Sequence, residues 1–177
     1  SVRLVDNKGT EIPRGGGIGE LCVRAPHVTV GYWNNAEATS ELLQDGWLHT
    51  GDMAYEDENG YFHIVDRKKD MIISGGFNIY PQELEQVLAK HAAVSAAAVI
   101  GVPDPKWGET VKAFIVLKNG FSVDSAELIT LAREKKGAVM APKSVEFLAQ
   151  LPLTELGKID KKALRAPYWE NYKKGVN

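Results

Sequence analysis

Lys158 follows Gly157 in the run Pro152-Leu153-Thr154-Glu155-Leu156-Gly157-Lys158-Ile159-Asp160. A glycine turns the backbone without a Cβ penalty, so the next side chain is thrown forward from a tight loop. An ammonium presented in that way can stabilise charge developing on a phosphate or a carboxylate. Taken alone, the fragment favours a solvated loop lysine ahead of an amphipathic helix. Asp52 closes Gly46-Trp47-Leu48-His49-Thr50-Gly51-Asp52. A strand ending in Thr-Gly-Asp sets a carboxylate at a turn, where it can accept hydrogen bonds from vicinal hydroxyls. The alternative is a turn aspartate bonded to its own backbone. His27, His49, His63 and His91 show no paired ligand spacing, so no metal site is expected from the histidines. Glu56, Asp57 and Glu58 read as a solvated turn.

The elements that must position these residues change character along the chain. Val2 to Val5 and Gly19 to Arg24 read as strands, Ala36 to Leu43 as a short helix, and Thr50 to Tyr55 with Tyr61 to Val65 as a hairpin. Asp66-Arg67-Lys68-Lys69-Asp70 then sets five charges between apolar strands. It is read as a surface crossing, either a domain boundary or a hairpin loop. Met71 to Ile73 and Phe77 to Tyr80 flank Ser74-Gly75-Gly76. Pro81 opens a helix whose apolar face is Leu84, Val87 and Leu88. Val94 to Val102 and Val111 to Lys118 are buried strands. The second carries Ala113, Ile115 and Leu117 on one face and Phe114 and Val116 on the other. Asp124 to Glu127 has capping-box spacing for a helix that ends near Gly137. Val145 to Leu148 is a further strand, and Lys161 to Arg165 starts a last helix. The tail from Tyr168 to Asn177 is read as frayed.

The net charge of -2 gives no field favouring nucleic acid or an anionic membrane. The single cysteine, Cys22, excludes an internal disulfide and a cysteine-based metal site. No apolar run reaches the length of a membrane span, and a cytoplasmic location is expected. The first residues read as a strand entered midway, so the chain is expected to be a piece of something longer.

Taken in order, the Thr-Gly-Asp segment, the run from Asp66 to Glu85 and the Gly157-Lys158 loop resemble the C-terminal part of the adenylate-forming superfamily. The resemblance is strongest to AMP-forming acyl-CoA synthetases and covers essentially the whole chain. Gly19-Glu20-Leu21-Cys22-Val23-Arg24 and Gly31-Tyr32-Trp33-Asn34-Asn35 resemble the lead-in to the Thr-Gly-Asp motif. The resemblance implies an α+β fold. Residues 1–66 would be a β-rich piece of the large domain's distorted-barrel subdomain. Residues 67–177 would be a mobile cap with a short β-hairpin and a three-stranded sheet flanked by helices.

The implied reaction joins a carboxylic acid to ATP as an acyl-adenylate, then passes the acyl group to coenzyme A and releases AMP. The cap rotates between the two steps. Residue by residue, Lys158 matches the adenylation lysine. Asp52 matches the ribose-binding aspartate, Arg67 a nucleotide-contacting arginine and Lys69 the hinge. Ser74, Gly75 and Gly76 match the thioester loop, and Trp107 resembles a position near the pantetheine tunnel, with loop packing as its alternative. Asp160 and Lys161 depart from the usual pattern after the lysine, which bears on how the Lys158 loop is anchored. Mg²⁺ is expected to arrive with ATP, on ligands mostly outside this chain. The expected partners are a fatty or other apolar carboxylic acid, with Phe77 and Tyr80 leaning that way, and a separate N-terminal domain. Without that domain the chain is expected to be inactive. Two alternatives stay open, an adenylation domain loading a carrier protein and a non-catalytic interaction module. The exposure expected for Lys158 also makes it an acetylation target in this reading.

Overall fold

The computed structural model describes residues 1–170 and Tyr172. The chain is α+β and divides into two compact units, Ser1–Lys69 and a second from Asp70 onward.

The first unit is built on one antiparallel sheet. Its strands are β1 (Val2–Val5), β2 (Glu11–Ile12), β3 (Gly19–Val23), β4 (Leu43–Gln44), β5 (Trp47–Glu56) and β6 (Phe62–Arg67). Their order is β2-β1-β3-β5-β4, with β6 also paired to β5. Strand alternation sends Val5, Cys22 and Trp47 into one small core. Arg3 and Arg24 lie over the Trp47 ring at 4.2 and 4.4 Å, so their stems and charges cover the indole. The helix α1 (Ala36–Leu42) starts where the Asn35 side chain accepts the Ala38 N–H at 3.0 Å.

The charged run after β5 is not uniformly a surface crossing. Asp66 lies within β6 and is buried, and its carboxylate accepts the Arg67 N–H at 2.7 Å. Lys68–Asp70 form one 3₁₀ turn. Arg67, which the sequence boundary assigned to the second domain, is the last residue of β6 and falls in the first unit.

The second unit is a hairpin joined to a three-stranded sheet. The hairpin is β7 (Ile72–Ser74) and β8 (Phe77–Ile79). The sheet is β9 (Val94–Asp104), β10 (Gly108–Leu117) and β11 (Ser144–Phe147), with β10 antiparallel to β9 and parallel to β11. Ser74 pairs with Gly108 and links the two. Ala113, Ile115 and Leu117 of β10 face a core shared with α2 (Pro81–Ala89) and α3 (Ser125–Lys136). Phe114 and Val116 face the opposite layer, with Leu164 of α4 (Lys161–Trp169). Helices therefore cover both faces, which is why β9 reads as an almost continuous apolar run.

Several sequence expectations shift in detail. Pro81 is the first residue of α2 as read, but the buried stripe is Pro81, Leu84 and Leu88, with Val87 only partly covered. The Asp124 side chain caps α3 through the Ala126 N–H at 3.0 Å. The Glu127 carboxylate does not return to the cap; it takes His91 Nε2 at 3.1 Å instead. Tyr168 and Trp169 belong to α4 rather than to a frayed tail. The rest of the expected tail, residue 171 and residues 173–177, lies outside the described residues. No helix among the described residues is long and apolar enough to cross a membrane.

Candidate active site

Asp52 does not end a strand. Thr50-Gly51-Asp52 lies inside β5, where the pairing with β3 is irregular; the pairing with β6 shifts just beyond it, between Met53 and Ala54. Gly51 has φ +70 there, and this bulge re-aims the strand. The Thr50 hydroxyl donates to the Leu21 carbonyl at 2.7 Å and accepts the Asp52 N–H at 3.1 Å. Asp52 Oδ1 is 2.9 Å from Arg67 Nε, so the two residues assigned to the nucleotide meet across the β5–β6 pair. A carboxylate has more acceptor sites than this one pair occupies, so Asp52 keeps capacity for a ligand hydroxyl.

Beneath the bulge lies a group that no sequence spacing revealed. Glu20 is a buried carboxylate in β3. Its Oε1 accepts the Gly51 N–H at 3.2 Å, and its Oε2 lies 2.9 Å from both His49 Nδ1 and Lys68 Nζ. Cys22 Sγ lies 3.5 Å from the same histidine nitrogen. Glu20, Cys22 and His49 thus bring three potential ligand atoms within 4.8 Å of one another, a grouping that cysteine count and histidine spacing did not reveal. Burial would raise the Glu20 pKa, but hydrogen bonds from His49 and Lys68 outweigh it, so the carboxyl is held below its ordinary value. Burial and the Glu20 charge push the Cys22 thiol up to about 11. The Lys68 ammonium already supplies the positive charge this carboxylate needs, so a paired network accounts for the cluster without an ion. The other histidines sit at the surface or in ordinary pairs, His63 with Asp57 at 2.8 Å and His91 with Glu127.

In the second unit, Ser74, Gly75 and Trp107 line one cavity of about 260 Å³ together with Phe77, Val139 and Lys143. Gly75 has φ +57, and a Cβ built on it would stand 2.7 Å from the Trp107 ring. Both the backbone sign and the close approach therefore demand glycine. The Gly75 N–H donates to the Trp107 carbonyl at 2.9 Å, which fastens the two loops together. Gly76 has φ +84 with open space around it. Val139 and Lys143 were not legible as site residues, because only the fold brings them to β7. Lys69 lies in the 3₁₀ turn and is exposed. Tyr80 is buried, whereas Phe77 is exposed at the cavity.

Lys158 tops a small β-loop. Leu153 and Ile159 form a bridge, the Thr154 N–H donates to the Lys158 carbonyl at 2.7 Å, and the Gly157 N–H to the Thr154 carbonyl at 2.8 Å. Gly157 has φ +75, the left-handed turn that lifts the lysine forward. The side chain is exposed, and its ammonium has no partner among the described residues. Asp160, a departure noted in the sequence, caps α4 by accepting the Ala163 N–H at 3.0 Å. Lys161, the other departure, reaches Glu85 Oε1 at 2.7 Å. Both anchor the base of the loop and leave its tip free.

Residues 83–158 match the family model for the AMP-binding enzyme C-terminal domain. The chain is 47% identical over 182 residues to the medium/long-chain-fatty-acid–CoA ligase FadD8 of Mycobacterium tuberculosis, covering 99% of this chain and 32% of that protein. It is 51% identical over 154 residues to a long-chain-fatty-acid–CoA ligase of Bacillus subtilis, covering 87% and 28%. The chain thus spans about a third of the length of the curated relatives it matches. Among solved structures, MatB from Rhodopseudomonas palustris is 40% identical, with 98% of this chain and 35% of MatB covered. Its TM-score is 0.87 in the ATP-bound form and 0.68 in the apo form. Residues 83–158 therefore carry the C-terminal domain of AMP-binding enzymes, and the chain as a whole is similar to about a third of the length of fatty-acid–CoA ligases.

Proposed function

We propose that this chain is the nucleotide-contacting strand pair and mobile cap of an ATP-dependent acyl-CoA synthetase. A carboxylic acid and ATP form an acyl-adenylate and pyrophosphate. Coenzyme A then displaces AMP and leaves with the acyl group. The observation that carries this reading is the exposed, unpartnered Lys158 ammonium on a braced loop. Asp52 and Arg67 supply a prepared nucleotide contact in the first unit.

A carboxylate is a poor electrophile, and its attack on the α-phosphate crowds negative charge in the transition state. Lys158 would stabilise that charge as a point cation. Asp52 would accept hydrogen bonds from the ribose hydroxyls, held in orientation by Arg67 and the Thr50 bulge. Mg²⁺ would enter with ATP. Rotation at Lys69 would then withdraw Lys158 and bring forward the face carrying Ser74, Gly75, Gly76 and Trp107. The two TM-scores for MatB support such motion, since the matched region of that relative differs between its ATP-bound and apo forms. The cavity beside Gly75 suits a thin, extended thiol arm. The names of the relatives favour free coenzyme A over a carrier protein as acceptor, and a fatty or other apolar acid as substrate.

The test is Lys158→Ala in the full-length enzyme. Acid-dependent ATP–pyrophosphate exchange should fall by about 10²- to 10³-fold, the scale for losing one charge-stabilising group. Coenzyme A acylation from a preformed acyl-adenylate should change little. Unchanged exchange would remove Lys158 from the mechanism.

A further inference from the structure

The Lys158 loop has a free tip and a fixed base. The Asp160 N–H donates to the Pro152 carbonyl at 2.8 Å, and Asp160 also caps α4, so the loop takes its direction from that helix. The helix is held by buried Leu164, by the Lys161–Glu85 pair, and by Trp169 Nε1 donating to the Gly101 carbonyl at 3.1 Å. Arg165 makes a different kind of attachment. Its Nη1 donates to Asp70 Oδ1 at 2.8 Å and its Nη2 to the Asp70 carbonyl at 3.4 Å. The two side chains are only 23% and 14% exposed, so water screens the pair weakly. Asp70 is the first residue of the second unit, adjacent to Lys69. A single guanidinium therefore binds the far end of the linker to the helix that carries the lysine loop.

We propose that Arg165 is a positioning residue for the adenylation step: its fork onto Asp70 makes the linker end and the Lys158 loop one rigid piece. A rotation at Lys69 is then delivered to the Lys158 ammonium without slack. This rests on the roles proposed above for Lys158 and Lys69. The fork needs arginine, because a lysine can reach only one of the two Asp70 oxygens with a single directed bond. Position matters at this scale, since a misplacement of about 1 Å can cost roughly 10²-fold in rate.

The experiment measures both half-reactions in the full-length enzyme for Arg165→Ala, Arg165→Lys and Lys158→Ala. Arg165→Ala should slow ATP–pyrophosphate exchange by about 10²-fold while leaving acylation of coenzyme A from a preformed acyl-adenylate within about threefold. Arg165→Lys keeps the charge and most of the packing and should fall between, at about 10-fold. If Arg165→Ala does not fold, the lysine variant carries the test alone. Exchange at the unaltered rate in a folded Arg165 variant would overturn the proposal. Equal slowing of both half-reactions would also overturn it, since a merely structural role predicts that. Full exchange in Lys158→Ala would instead sink the underlying assignment of Lys158, whatever Arg165 does.

Discussion

The strand pair around Asp52 and the loop around Lys158 solve opposite electrostatic problems. Around Asp52 every charge is answered nearby. Arg67 faces Asp52, and Lys68, His49 and the Gly51 N–H converge on Glu20. At Lys158 the loop is braced by its own backbone hydrogen bonds, while the ammonium has no partner among the described residues. Under the proposed function, a site that holds a nucleotide through successive steps gains from rigidity prepared in advance. In the same reading, a cation that enters one step and leaves before the next gains from having no partner at home. The same side-chain charge is thus structural in one region and available to a ligand in the other.

That contrast can be broken by removing charges and reading stability. The largest effect belongs to Glu20. Glu20→Ala leaves Lys68 and His49 facing each other with no carboxylate, and denaturant unfolding should show a loss of about 3 kcal/mol, the low end for breaking a buried pair. Its pH dependence sharpens the point. The folded Glu20 carboxyl is held below its ordinary value of 4.5, so its stabilisation is complete above that pH and drains as pH falls through the folded value. Glu20→Gln should therefore be less stable than the parent at pH 7 and should lose less on acidification. Parallel melting curves for the two proteins across that range would refute the role of the charge.

A smaller loss is expected at Gly75. Gly75→Ala imposes a left-handed backbone on a residue with a Cβ, at about 1–2 kcal/mol, and drives that Cβ toward Trp107. Unfolding measurements should show the loss, and Trp107 fluorescence should shift as its ring is displaced. The smallest effect should come from Lys158→Ala, within about 0.5 kcal/mol of the parent, because the ammonium has no partner among the described residues. A loss near that of Glu20→Ala would mean that Lys158 has a structural partner and would erase the contrast.

Much of the architecture was legible because periodicity reports burial directly. The alternation of β10 correctly divided Ala113, Ile115 and Leu117 from Phe114 and Val116. Pro81, Asp124 and Gly137 marked helix ends through local backbone chemistry. Reading was less accurate where the backbone departs from its regular form. Asp52 looked like a strand end because Thr-Gly-Asp has turn chemistry, whereas the chain bulges there and continues. Asp66 looked exposed because it opens a charged run, yet strand pairing buries it.

Local order along the chain fixed the strands, the helix caps and the glycine that lifts Lys158, since each depends on neighbours within a few residues. Only the tertiary structure decided that Glu20 would meet His49 and Lys68, that Gly75 would press on Trp107, and that Arg165 would clasp Asp70. Those partners lie tens of residues apart in sequence. A charged or ring side chain carries no local signature of the distant group that will satisfy it. Its choice is made when packed strands and helices exclude water and leave one nearby counterpart.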